Sequence, residues 1–167
     1  DVSPINTYGL TKLKGEQAIQ KWLPEAIIIR TSWVYSTYGN NFVKTMLRLM
    51  NERDEIAVIN DQIGSPTYAK DLAHAILKIV EHREWNPGIY HYSNEGQLSW
   101  YDFAVAIRDI QKLDCEIRSI STREYPTAAK RPRFSLLDKS KIKETFGVNV
   151  PNWKESLIVT IFCRYFF

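Results

Sequence analysis

Ala26-Ile27-Ile28-Ile29-Arg30-Thr31 is an apolar, β-branched run closed by two polar residues. Apolar side chains at successive positions, rather than alternate ones, are what a strand needs when helices cover both faces of its sheet, as in a parallel sheet. Just upstream, Pro4 to Leu23 reads as a helix. Leu10, Leu13, Ala18, Ile19 and Trp22 recur at near-helical spacing, Pro4 suits a first turn, and Pro24 ends the element. A helix running into a strand covered on both faces predicts an α/β fold.

The alternation continues downstream. Phe42, Val43, Met46, Leu47, Leu49 and Met50 mark a helix over about 41–53, and Ile56 to Ile59 is a short strand. A helix from Tyr68 to about Glu81, with Thr67 as its cap, leads to a strand from Gly88 to Tyr92. Ser99-Trp-Tyr-Asp102 has capping-box form and opens a helix through Ile110, followed by a strand from Glu116 to Ile120. The stretch from Ser121 to Pro132 reads as a long surface loop. A short helix from Asp138 to Phe146 follows, stopped by Gly147.

The chain has 167 residues, 44% hydrophobic and 25% charged, enough for a real core. Its net charge of +3 arises from 22 basic and 19 acidic residues interspersed along the chain, without the basic stripe that nucleic acid requires. Cys115 and Cys163 lie far apart without C-x-x-C spacing, which argues against a disulfide framework or structural zinc and fits the cytoplasm. A charged stretch followed by an apolar one does not appear in the first residues, so a secretory signal is not expected. The apolar run from Leu157 to Phe167 is too short to span a bilayer and contains Arg164, so it reads as a helix end packing on a core or a partner. His74, His82 and His91 lack metal-ligand spacing, and no metal is expected.

Tyr8-Gly-Leu-Thr-Lys12 places a phenol and an ammonium four residues apart, on one helix face. A tyrosine hydroxyl is a weak acid, and a neighbouring cation that favours the phenolate makes its proton easier to give and regain. That suits protonation of a carbonyl oxygen during reduction. An amphipathic helix with a solvated lysine would show the same spacing. Trp33 is either a core tryptophan after a buried strand or a flat apolar wall for a ligand. Arg30, Thr31 and Ser32 stand at the C-terminal end of the strand, where open α/β sheets bind ligands.

Five stretches together are far more specific than the pair alone: TYGLTKLKGEQA (Thr7 to Ala18), IIIRTSWVYSTYGNNFVKTMLRL (Ile27 to Leu49), VINDQIGSPTYAKDLA (Val58 to Ala73), GIYHYSNEG (Gly88 to Gly96) and EYPTAAKRPRFSLLDKSKI (Glu124 to Ile142). With them the sequence resembles the dTDP-4-dehydrorhamnose reductases, of the extended short-chain dehydrogenase/reductase superfamily, over residues 1–157. The resemblance implies part of a Rossmann-like doubly wound sheet plus a smaller C-terminal α/β substrate-binding region. Residues 1–60 would be a remnant of the dinucleotide-binding domain and 61–167 the substrate-binding region.

By position, it implies that Tyr8 donates the proton while Lys12 supports it and binds the nicotinamide ribose. Arg30, Thr31 and Ser32 would line the nicotinamide pocket, and Trp33 would pack beside the deoxysugar. Asn40, Asn41 and Phe42 open a helix whose amides could face the nucleotide diphosphate, or the asparagine could simply cap it. Lys130 and Arg131 offer cations to the same diphosphate, Arg131 with the better bidentate geometry, unless it is an ordinary solvated charge. The implied cofactor is NADPH or NADH, the partner a dTDP-sugar, and the assembly a homodimer. The implied reaction is reduction of the 4-keto group of dTDP-4-dehydro-L-rhamnose.

Two other readings stand beside it: a sugar-nucleotide epimerase or dehydratase of the same superfamily, and a non-catalytic regulatory subunit on the same fold. The seven glycines form no phosphate-cradling G-x-x-G-x-x-G turn. That turn, and the Ser or Thr completing the family's catalytic trio, are expected in chain upstream of Asp1. Some relatives are thought to hold magnesium through carboxylates. Lys70 stands where one would be expected.

Overall fold

The structure, a computed structural model, describes residues 2–125, 127 and 131–163. Helix α1 (Thr7–Trp22) begins three residues later than the position of Pro4 suggests, because Asn6 takes the cap position and its side chain accepts the amide of Gly9 at 2.8 Å. Pro4 instead packs beside Gly9, where an added Cβ would stand 3.2 Å from the proline Cβ. Strand β1 (Ile27–Thr31) follows, then the two-residue β2 (Val34–Tyr35) and helix α2 (Phe42–Glu52). Next come β3 (Glu55–Ile59), β4 (Ile63–Gly64), β5 (Thr67–Tyr68), α3 (Ala69–Val80), β6 (Gly88–Tyr92), β7 (Leu98–Ser99) and α4 (Trp100–Gln111). The chain ends in β8 (Glu116–Ile120), a 3₁₀ turn at Thr122–Glu124, α5 (Ser140–Phe146) and α6 (Trp153–Cys163).

β1 pairs in parallel with β6, Ile27 opposite Gly88 and Thr31 opposite Tyr92. β3 pairs in parallel with β8 and β2 with β5, while β4 and β7 are antiparallel. An α/β architecture with parallel strands is what the sequence pattern implies. Both long pairs join a strand before residue 60 to one after it, so the expected boundary at that position is crossed by two sheets. Thr67 is a strand residue rather than a helix cap: Tyr68 takes the cap position of α3 without a side-chain bond, and the Thr67 hydroxyl accepts from Thr31 at 3.1 Å.

Two cores hold these layers. The larger joins α2, β3, α4, β8 and α6 around Phe103 and Ile107, both wholly buried, with Met46, Ile56, Ile117 and Leu157. The second packs Ala75 and Ile79 of α3 and Ile142 and Phe146 of α5 on Tyr90 and Tyr92 of β6, with Ile27 and Ile29 of β1 against it. Burying each large apolar side chain contributes roughly 1.5–3 kcal/mol. The Ser99 capping box is formed, with Asp102 N–H donating to Ser99 Oγ at 3.0 Å and Ser99 N–H to Asp102 Oδ2 at 2.9 Å. Gly147 ends α5 with φ of +62°, a conformation that glycine adopts without a Cβ penalty.

A polar clip ties the cores together. Wholly buried Asn94 accepts the Tyr68 amide at 2.7 Å and donates to Asp71 at 2.6 Å and to Ser156 at 2.9 Å. Buried amides require such partners, because leaving one unmade costs about 1–3 kcal/mol. Within the apolar C-terminal run, Leu157 and Ile161 of α6 are buried, so that helix packs on the core as expected. Arg164 and the residues after it lie outside the described residues. Among the described residues no helix is long and apolar enough to cross a membrane, and no cluster of His, Cys, Asp and Glu is arranged to hold a metal ion.

Candidate active site

α1 presents Tyr8 and Lys12 on one exposed face. The ammonium of Lys12 lies 5.5 Å from the centroid of the Tyr8 ring, and Tyr8 is 70% exposed. The cap at Asn6 places this pair in the first two turns of the helix. The less exposed face is Gly9, Leu13 and Glu16, turned toward β1. There the guanidinium of Arg30 binds both Glu16 oxygens, at 2.8 and 2.5 Å. That hydrogen-bonded cation holds the Glu16 carboxyl below its ordinary range, and the same contact raises Arg30.

Arg30 is therefore committed to fastening α1 to its strand, which differs from the expected place in a nicotinamide pocket. A strand alternates its faces, so Arg30 points toward α1 while Thr31 points the other way, to Thr67. The Ser32 hydroxyl donates to the Ser65 carbonyl at 3.1 Å. Thr31 and Ser32 thus tie the end of β1 to the segment around β5.

The other expected residues divide. A cavity of about 460 Å³ opens along α2, where Phe42, Thr45, Met46 and Leu49 recur at helical spacing on one side. Val58 and Gln62 line its floor, Trp100 walls it, and Tyr125, Thr127 and exposed Arg131 complete it. Phe42 and Arg131 are thus brought to one cavity. Trp33 is not in its lining: it stacks on Trp100, with centroids 3.6 Å apart and planes within 15°, and so stands behind the wall. Phe42 in turn contacts the Trp100 ring at 4.5 Å.

Asn40 lies in a separate groove on the outer side of α2, with Lys44, Arg48 and Asn51. The Asn41 side chain is spent on the helix cap, accepting the Lys44 amide at 3.2 Å and donating to the Ser36 carbonyl at 2.8 Å. Lys130 lies outside the described residues. Among the described residues no hydrogen bond or ring contact joins Tyr8 to the Trp33 and Trp100 stack.

Trp100 and Gln62 are among the cavity residues that the sequence reading did not single out. Trp100 registered only as part of a capping box, and its place beside Phe42 depends on the pairing of β4 with β7. Gln62 is almost wholly buried, unusual for a glutamine, and donates to the Thr122 hydroxyl at 3.1 Å. Asp61 accepts both the Thr122 amide and its hydroxyl, which lowers the Asp61 carboxyl. These bonds hold the segment that carries Tyr125 to the cavity. The local signal was the polar run Asn60-Asp61-Gln62 between two strands, within the stretch Val58 to Ala73 that carries the resemblance.

Parallel pairs flanked by helices, with a Tyr-x-x-x-Lys helix fastened beside β1, give the molecule a Rossmann-like α/β fold. The chain belongs to the family described as RmlD substrate binding domain, whose model matches residues 1–162. It is 44% identical over 166 residues to the dTDP-4-dehydrorhamnose reductase of Aggregatibacter actinomycetemcomitans, covering 93% of this chain and 56% of that protein. The crystal structure of a dTDP-4-dehydrorhamnose reductase from Clostridium acetobutylicum is similar with a TM-score of 0.93 at 42% identity, over 98% of this chain and 57% of that one. The corresponding reductase of Bacillus anthracis, solved in complex with NADP, gives a TM-score of 0.90 at 40% identity, over 97% of this chain and 56% of that one. The chain spans a little over half the length of these relatives.

Proposed function

We propose that the protein containing this chain reduces the 4-keto group of dTDP-4-dehydro-L-rhamnose, with NADPH as reductant. The observation that carries this reading is the shared, solvent-facing side of Tyr8 and Lys12 in a chain of this family. That face suits a nicotinamide nucleotide, since Tyr8 offers an exposed hydroxyl and Lys12 three donors for ribose hydroxyls. Arg30, held by Glu16, is left out of the cofactor set; Thr31 and Ser32 remain the candidates at the end of β1.

NADPH, when bound, supplies the hydride that the keto carbon accepts. Tyr8 gives its hydroxyl proton to the keto oxygen, so that the carbonyl becomes a secondary alcohol and the tyrosine a phenolate. Lys12 stabilises that phenolate by its positive charge until a proton returns from solvent. Phe42 and Trp100 offer flat apolar faces to a nucleobase or deoxysugar, and Arg131 a bidentate donor set to the diphosphate. Location in the cytoplasm and assembly as a homodimer belong to the same reading, and light scattering on the full-length protein checks the second.

The decisive experiment is nicotinamide oxidation by the full-length protein given dTDP-4-dehydro-L-rhamnose. Stoichiometric consumption is expected. Turnover of the sugar nucleotide without net consumption would make it an epimerase or dehydratase, and binding without turnover a regulatory subunit. Either result removes the reductase reading.

A further inference from the structure

Gly64 has an ordinary backbone conformation, so nothing in its dihedrals asks for glycine. Its surroundings do. A Cβ at this position would stand 2.9 Å from both Cε2 and Cζ2 of Trp33 and 2.7 Å from Ser135 Oγ. The serine hydroxyl can turn away. The indole cannot move cheaply, because it is fixed from three sides: its backbone is left-handed, with φ of +49°, its carbonyl accepts the Thr67 amide at 3.2 Å, and its ring lies on Trp100. A left-handed backbone is disfavoured for tryptophan and persists only where its surroundings enforce it.

The local pairing explains how these parts meet. Gly64 on β4 lies opposite Leu98 on β7, two residues before Trp100, so the strand that receives the Trp33 ring is paired with the strand that launches the helix bearing its stacking partner. Trp100 walls the cavity beside Phe42, and Trp33 backs it.

We propose that Gly64 is a positioning residue for the cavity wall: its lack of a side chain lets Trp33 lie against β4 and hold Trp100 in the plane that faces the ligand. The effect on ligand rests on the reading of this cavity as the nucleotide site. The effect on the two rings does not.

Two indoles stacked this closely couple their transitions and give an exciton couplet in circular dichroism, which is the first readout. Gly64→Ala is expected to abolish the couplet and to weaken binding of dTDP to the full-length protein about tenfold, the scale at which small misplacements act. In a Trp33→Phe background the atoms that the new methyl would strike are gone, so the same change should weaken dTDP by less than about twofold, a non-additivity typical of residues in contact. A retained couplet in Gly64→Ala overturns the proposal, as does equal weakening in both backgrounds, which would point to Ser135. If Gly64→Ala does not fold, folding restored by Trp33→Phe supports the clash and folding not restored removes it. Should the wild-type protein bind no dTDP, the nucleotide reading of the cavity fails, and the couplet alone decides the role of Gly64.

Discussion

The helix that bears Tyr8 and Lys12 and the cavity walled by Trp100 are built in opposite ways. α1 buries none of its residues, and Leu10, Ile19 and Trp22 are all exposed. Among the described residues the ion pair of Arg30 with Glu16 fastens it to β1. The cavity, in contrast, rests on a core in which Phe103 and Ile107 have no exposure, with aromatic contacts running from Trp33 through Trp100 and Phe42 to Phe103. The proposed chemistry and the proposed binding thus fall on parts of very different burial. The cavity stands on buried side chains, while α1 presents Leu10, Ile19 and Trp22 at its surface.

The largest expected effect separates the two functions. Tyr8→Phe in the full-length protein should lower kcat by about 10²–10⁴ fold while leaving dTDP affinity within about twofold, since only the proton is removed. A parallel loss of affinity would show that the helix and the cavity act as one site. In stability, Phe103→Ala should cost about 3–5 kcal/mol in urea unfolding, whereas Trp22→Ala in the isolated chain should change it by no more than about 0.5 kcal/mol. Similar losses for both would mean that α1 is packed after all.

A smaller change is expected at the cavity mouth. Arg131→Ala should weaken dTDP about tenfold, the equivalent of one charge-assisted contact, and Arg131→Lys should recover only part of that. The smallest change concerns the tie between the two regions. Arg30 keeps the Glu16 carboxyl below its ordinary value of 4.5, so the pair's contribution to stability is present above that value and is lost as pH falls through the lowered one. Glu16→Gln should therefore cost roughly 1 kcal/mol at neutral pH, with the difference from wild type closing in acid. A gap that persists at low pH would assign the contact to packing rather than charge.

Much of the frame was legible in the sequence because long elements leave a period. The Ile27–Ile29 run, the α2 stripe and the Ser99 capping box all lie where hydrophobic spacing and cap chemistry put them. The strands β2, β4, β5 and β7 were not legible, since two residues cannot express a period of two. Of the site, the Tyr8 and Lys12 pair could be read because it is local to one helix. Trp100, Gln62 and Gly64 could not, as their roles arise only when β4 closes on β7. Arg30 illustrates the converse: its place at a strand end was readable, but the direction of its side chain depended on which face Glu16 occupied.

β1 has a hydrogen-bonded neighbour on one side only among the described residues. Main-chain pairing of the β1–β6 kind is open to a further strand at the other edge of such a ribbon.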